Sequence, residues 1–136
     1  MIGKVNHIGI AVRDIGRSIE LYRDVLGLEL ISVEDVPEQK VRVAVFDAGA
    51  THIELLEPLG EGSPIARFLE KRGEGMHHIA LETDDILGEM KRLRERGMEF
   101  IYEEPQKRLN HYLITFINPK SAGRVLIELC QPLNER

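Results

Sequence analysis

Four residues could do chemistry together: His7, Glu54, His78 and Glu128. His78 follows His7 by 71 residues, Asp85 follows Asp14 by the same interval, and Glu128 follows Glu54 by 74. Two imidazoles and two carboxylates recurring at matched places form the donor set of a divalent metal site. Mixed nitrogen and oxygen donors suit Co2+, Mn2+, Ni2+, Fe2+ or Zn2+, with room in the shell for water or substrate. Taken singly, a strand histidine is more often structural than ligating, and a strand glutamate often faces water. A carboxylate embedded in an apolar strand is costly unless partnered, however, and the repeat couples each glutamate to a histidine.

The elements that must hold these residues can be read from the pattern. Residues 4–12 alternate as a strand, with Ile8, Ile10 and Val12 on one face and His7, Gly9 and Ala11 on the other. Asp14 is a helix N-cap, Ile15, Ile19, Tyr22 and Leu26 follow at helical spacing, and Gly27 stops the helix. Strands are expected at 28–34, 41–47 and 51–57, and in the last of these Ile53 and Leu55 oppose His52, Glu54 and Leu56. Ser63-Pro64 opens a connector helix. The second half then repeats the order. His78-Ile79-Ala80-Leu81 matches His7-Ile8-Gly9-Ile10, Ile86, Met90 and Leu93 form a helix stripe ended by Gly97, and strands are expected at 98–103, 111–117 and 124–130. A period of about 70 residues is too long for a solenoid. The expectation is an α+β fold in which two βαβββ modules in pseudo-two-fold arrangement form a curled mixed sheet around a metal-containing cavity, helices outside. Residues 1–136 would be one domain, with module 1 at about 1–57, the connector at about 58–74 and module 2 at about 75–136.

Composition limits the alternatives. With 43% hydrophobic and 30% charged residues the chain is of ordinary globular type. A net charge of −5 argues against nucleic-acid binding, and no apolar run approaches a membrane span. The lone Cys130 cannot form an internal disulfide, so a reducing, cytoplasmic setting is expected; the thiol is read as packed. Of the other histidines, His77 should turn to the helix side or the strand end, His52 should line the cavity, and His111 should lie at the surface.

The segments 6–15, NHIGIAVRDI; 54–71, ELLEPLGEGSPIARFLEK; 73–86, GEGMHHIALETDDI; 102–105, YEEP; and 118–129, NPKSAGRVLIEL together resemble the methylmalonyl-CoA epimerases of the vicinal oxygen chelate (glyoxalase/bleomycin resistance/dioxygenase) superfamily. The resemblance spans nearly the whole chain, and the PLGEGSPIARFLEK block is the part most diagnostic of the epimerases. It implies metal ligands at His7, Glu54, His78 and Glu128, an acyl-CoA substrate and a homodimer. It also implies interconversion of the (R) and (S) epimers by proton removal and return at C2 through a metal-stabilised enolate. Glu128 would be a ligand alone or also one of the acid/base groups, with Lys120 and Ser121 near the substrate.

The chain departs from the family pattern in three places. Residues 106–110, QKRLN, replace a glycine-rich turn, and Asn118-Pro119-Lys120 replaces His-Pro-Lys. The third strand, 41–46, reads VRVAVF and lacks the carboxylate proposed elsewhere as a second base, which leaves that base unassigned. Lys107, Arg108, Lys120 and Arg124 are read either as contacts to CoA phosphates or as a solvated basic rim. The competing functions are a glyoxalase-I-type lactoylglutathione lyase, with a similar ligand set, and a metal-free binding protein of the same fold.

Overall fold

The computed structural model describes residues 1–108 and 111–133. It divides into two compact units, His7–His77 and, in the other, Met1–Asn6 with His78–Arg136. The first strand, β1 (Ile2–Ala11), and the fifth, β5 (Gly75–Thr83), each contribute residues to both.

In the His7–His77 unit, β1 leads into helix α1 (Ile15–Ile19) and then β2 (Glu29–Val36), β3 (Val41–Ala48), β4 (Thr51–Pro58) and helix α2 (Pro64–Arg72). The strand order is β2-β3-β4-β1: β2, β3 and β4 pair antiparallel, and β4 lies parallel to β1. In the other unit β5 leads into helix α3 (Ile86–Glu95), β6 (Gln106–Arg108), β7 (Tyr112–Ile117) and β8 (Ile127–Pro132), in the order β5-β8-β7-β6. There β5 and β8 are parallel and the other pairs antiparallel. Each module is therefore βαβββ with a mixed sheet, as the repeat required.

The repeat extends to the helix starts. The Asp14 carboxylate accepts the Arg17 N–H at 3.2 Å, and Asp85 accepts the Gly88 N–H at 3.0 Å. Ile15 and Ile86, the first residues of α1 and α3, donate their N–H groups to Glu57 at 2.9 Å and Gln131 at 2.8 Å. Glu57 and Gln131 each stand three residues after a candidate ligand glutamate. One side chain thus satisfies a helix N–H that has no partner within the helix, and ties the helix to the strand that carries the site.

Packing explains the alternation. Val12, Ile15, Ala44, Phe46 and Leu55 form a core with Ile10, Ile19, Tyr22 and Ile53 under α1. Ile86, Met90 and Leu129 do the same with Leu81, Leu93 and Phe100 under α3. The opposite sheet faces carry the four candidate ligands.

Four expectations are corrected. The first helix becomes π-helical over Glu20–Val25. Its wider turn, with i→i+5 bonds, rotates Leu26 out of the stripe, leaving it 58% exposed. Helix α2 is not outside: Ile65 and Leu69 pack with Ala11, Val43 and Leu56, which share the face of His7 and Glu54. The segment 98–103 is no strand and makes a single bridge, Phe100 to Ile117. Pro105 has no N–H to donate, and the edge strand starts only beyond it, at Gln106. Finally, β8 begins at Ile127 rather than 124, because Arg124 sits at φ 69° with its N–H on the Pro119 carbonyl.

Candidate metal centre

The two halves of the predicted set are built alike. On β1 the next residue of the His7 face is Gly9, which lies directly opposite Glu54 of β4. With no side chain at Gly9, the imidazole reaches the carboxylate, His7 Nδ1 lying 3.5 Å from Glu54 Oε2. On β5 the corresponding residue is Ala80, opposite Glu128 of β8. A methyl group is again small enough, and His78 Nε2 lies 3.3 Å from Glu128 Oε1. A bulky residue at position 9 or 80 would stand between the partners, which explains the small residue two places after each histidine.

All four side chains are buried, with residue exposures of 3% for His7, 9% for Glu54, 6% for His78 and 1% for Glu128. Imidazole and carboxylate removed from water together are suited to holding a cation. Two donors on one ion, each about 2.1 Å from it, lie about 3.0–3.4 Å apart. The observed pair distances of 3.5 and 3.3 Å are close to that spacing, so the donor set fits a divalent metal. Phe116, opposite Glu128 in the ladder, meets the His78 ring edge-to-face with centroids 6.2 Å apart and limits its rotation.

The other candidates separate by place. His52 is in register with His7 on the ligand face and is half-buried. Lys120 is exposed in the turn Pro119–Ser121, and the Ser121 hydroxyl accepts the Glu99 N–H at 3.0 Å. His77 packs edge-to-face on Phe68 of α2, with ring centroids 5.0 Å apart. His111 is exposed, and the Cys130 thiol is buried with Ala80 and Ile114. Leu109 and Asn110, part of the segment that replaces the family's glycine-rich turn, lie outside the described residues.

On β3, Val43 and Val45 are the residues opposite Leu56 and Glu54, so this stretch brings no second carboxylate beside Glu54. Asp47 shares that parity opposite His52, but its carboxylate accepts the Gly49 N–H at 2.9 Å and shapes the hairpin. Sequence reasoning left Arg108 either on the CoA phosphates or on a solvated rim. Its Nη1 is 3.9 Å from Glu128 Oε1, and its side chain is only 13% exposed. Pro105 was the available signal: starting the edge strand after it puts Arg108 opposite Tyr112, on the ligand-bearing face.

Comparison with known proteins decides the family. Residues 6–116 match the Glyoxalase/Bleomycin resistance protein/Dioxygenase superfamily. The ethylmalonyl-CoA/methylmalonyl-CoA epimerase of Cereibacter sphaeroides is 43% identical over 133 residues, covering 96% of this chain and 99% of that protein. The chain belongs to the methylmalonyl-CoA epimerase family of this superfamily. The crystal structure of methylmalonyl-CoA epimerase from Mycobacterium tuberculosis superposes with a TM-score of 0.92 at 39% identity, covering 98% of this chain and 90% of that one. A Streptomyces coelicolor methylmalonyl-CoA epimerase variant in complex with 2-nitronate-propionyl-CoA gives a TM-score of 0.90 at 36% identity, covering 98% and 100%. The protein is thus an enzyme of the racemase and epimerase class. Among the described residues no helix is long and apolar enough to cross a membrane.

Proposed function

We propose that residues 1–136 act as one domain that interconverts (R)- and (S)-methylmalonyl-CoA, with the cluster of His7, Glu54 and His78, joined by Glu128, holding one divalent ion, Co2+ the first candidate. The observation that carries this reading is the twofold occurrence of a buried imidazole–carboxylate pair at equivalent places of two βαβββ modules, in a chain 43% identical to an epimerase of this substrate class. Epimerisation at C2 removes one proton and returns another to the opposite face, so negative charge develops on the thioester and carboxylate oxygens. When bound, the ion supplies a Lewis acid for those oxygens.

The rest of the work falls to the protein. Glu54 and Glu128 stand on strands whose other face is locked into the cores under α1 and α3, which fixes their positions in advance of the reaction. Burial of the four polar side chains excludes water that would compete for the developing charge. Glu128, besides ligation, is the group proposed to move a proton at C2 on one face. A 2-nitronate is a planar anion shaped like the enolate formed by proton loss, and the complex of the Streptomyces relative with 2-nitronate-propionyl-CoA supports an enolate route.

The test is proton exchange. Metal-loaded protein is incubated with methylmalonyl-CoA in D2O while NMR follows the 2-position. Epimerisation with deuterium uptake, abolished by EDTA, is expected. No exchange with any of the five divalent metals would refute the reading, and turnover of a glutathione hemithioacetal would then place the enzyme with the glyoxalases.

A further inference from the structure

We propose that Tyr102 positions the His78 imidazole against Glu128, acting through the Phe116 ring. This role deepens the metal reading above, on which it rests, and takes up the YEEP segment that the four-ligand pattern leaves unused. Tyr102, Phe116, His78 and Glu128 all belong to one compact unit, Met1–Asn6 with His78–Arg136.

Backbone pairing delivers Tyr102 to β7. Phe100 bridges to Ile117, and the Ile101 N–H donates to the Phe116 carbonyl at 2.9 Å. One residue past Tyr102, the Glu103 carbonyl accepts a hydrogen bond from the Arg94 guanidinium of α3 at 2.7 Å. The stretch is thus pinned on both sides of Tyr102 although it forms no strand. In a regular strand residues 100 and 102 would share a face. Here Phe100 packs in the core under α3, whereas the Tyr102 ring reaches Phe116, with centroids 6.3 Å apart and planes at 67°. Phe116 lies opposite Glu128 in the ladder and meets the His78 ring with centroids 6.2 Å apart and planes at 84°.

An imidazole turns about two side-chain bonds, and the second of them has a broad, shallow profile. The rotation that keeps His78 Nε2 3.3 Å from Glu128 Oε1 is favoured by a ring neighbour set nearly perpendicular to it, since tilted aromatic pairs attract at centroid separations of about 4.5–7 Å. Phe116 is that neighbour. It packs against Ala80, Ile114 and Cys130 yet stays half-buried, so a further ring laid on it narrows the positions open to it. Tyr102 is that ring. The contact is made between rings and not through the hydroxyl, so phenylalanine should serve in its place. Groups that orient a ligating imidazole matter to the ion, their loss commonly weakening binding by about 10- to 100-fold.

Two measurements on the full chain test this role. In the first, Co2+ alone is titrated into metal-free protein by calorimetry, with Tm recorded alongside. Tyr102→Leu should weaken Co2+ by about 3- to 10-fold, the loss expected for one aromatic contact. Tyr102→Phe should stay within about twofold of wild type, because the ring contact is kept. Added to Phe116→Leu, which weakens Co2+ on its own, Tyr102→Leu should have no further effect, since residues acting along one path are not additive. A tyrosine that only supports the fold would lower Tm without moving the affinity, or would add in full to Phe116→Leu, and either result overturns the proposal. The second measurement needs no metal. Nuclear Overhauser cross-peaks between the His78 and Phe116 rings should be present in wild type and Tyr102→Phe and reduced in Tyr102→Leu; cross-peaks unchanged in Tyr102→Leu would overturn the role. If Tyr102→Leu does not fold, Tyr102→Met, which keeps bulk without a ring, is read by the same outcomes. The two readings fail separately. Wild type that binds no ion while Tyr102→Leu loses the cross-peaks removes the metal reading alone, and wild type and Tyr102→Leu that bind one ion equally tightly remove only this one.

Discussion

Replacing His78 by alanine probes the site and the fold at once. The imidazole is buried, lies 3.3 Å from Glu128 Oε1 and packs edge-to-face on Phe116. Stripping one partner from a buried ion pair commonly costs about 3–5 kcal/mol because the other charge is stranded. Here the Arg108 guanidinium remains 3.9 Å from the same oxygen, so the cost should be nearer that of an ordinary buried truncation, about 1–3 kcal/mol. For 136 residues, an unfolding entropy of about 2.1 cal/mol/K per residue gives about 290 cal/mol/K, and the loss becomes about 3–10 °C in Tm. The folded variant can therefore be assayed at 25 °C. Metal per chain is measured by plasma mass spectrometry after dialysis, and melting is followed with and without added ion. Wild type at an ion concentration of about 100 Kd should gain about 2.7 kcal/mol, or about 9 °C, by mass action. His78→Ala should gain almost nothing and retain no stoichiometric metal. A variant that keeps one ion per chain would refute the ligand assignment, and one that fails to fold would refute the estimate built on Arg108.

Two further outcomes test the frame around the site. Gln131→Ala removes the acceptor for the Ile86 N–H at the start of α3, and Glu57→Ala does the same for Ile15 at α1. Each should cost about 1–3 kcal/mol by leaving a partly buried donor unsatisfied, read as matched losses of Tm; a loss in one and none in the other would break the equivalence of the modules. The second outcome concerns pH. The Arg92 hydrogen bond, against some desolvation, holds the Glu89 carboxyl below its ordinary value. A depressed folded pKa means the folded state binds its proton less readily than the unfolded one. The contribution is thus present above the unfolded value of 4.5 and lost as pH falls through the folded one. Glu89→Gln should lower Tm at pH 7 and converge with wild type in strong acid, and a difference that persists undiminished at low pH would contradict the assignment.

Sequence alone determined much of this molecule, because the chain states the same local rules twice. A histidine, a small residue two places on, a capping aspartate and a glutamate in the closing strand recur at nearly fixed intervals. Strand parity follows from a period of two, so His78 rather than His77 could be assigned to the face of Glu128 from the sequence, and His78 Nε2 does lie 3.3 Å from Glu128 Oε1. What the pattern could not supply were features that depend on a partner distant in the chain. The connector helix settles on the ligand-side face because Ala11, Val43 and Leu56 leave an apolar surface there, and periodicity within α2 does not say which surface it will meet. The strand expected at 98–103 lost its place because only the pairing with β7 reveals where an edge strand can start after Pro105. Arg108 follows from that shift. As a sequence letter it is one basic residue among several on a rim, and only the β6–β7 register turns it toward Glu128. The residues that repeat declared the proposed metal site; the residue that does not repeat needed the tertiary structure, since only strand pairing decides what its charge faces.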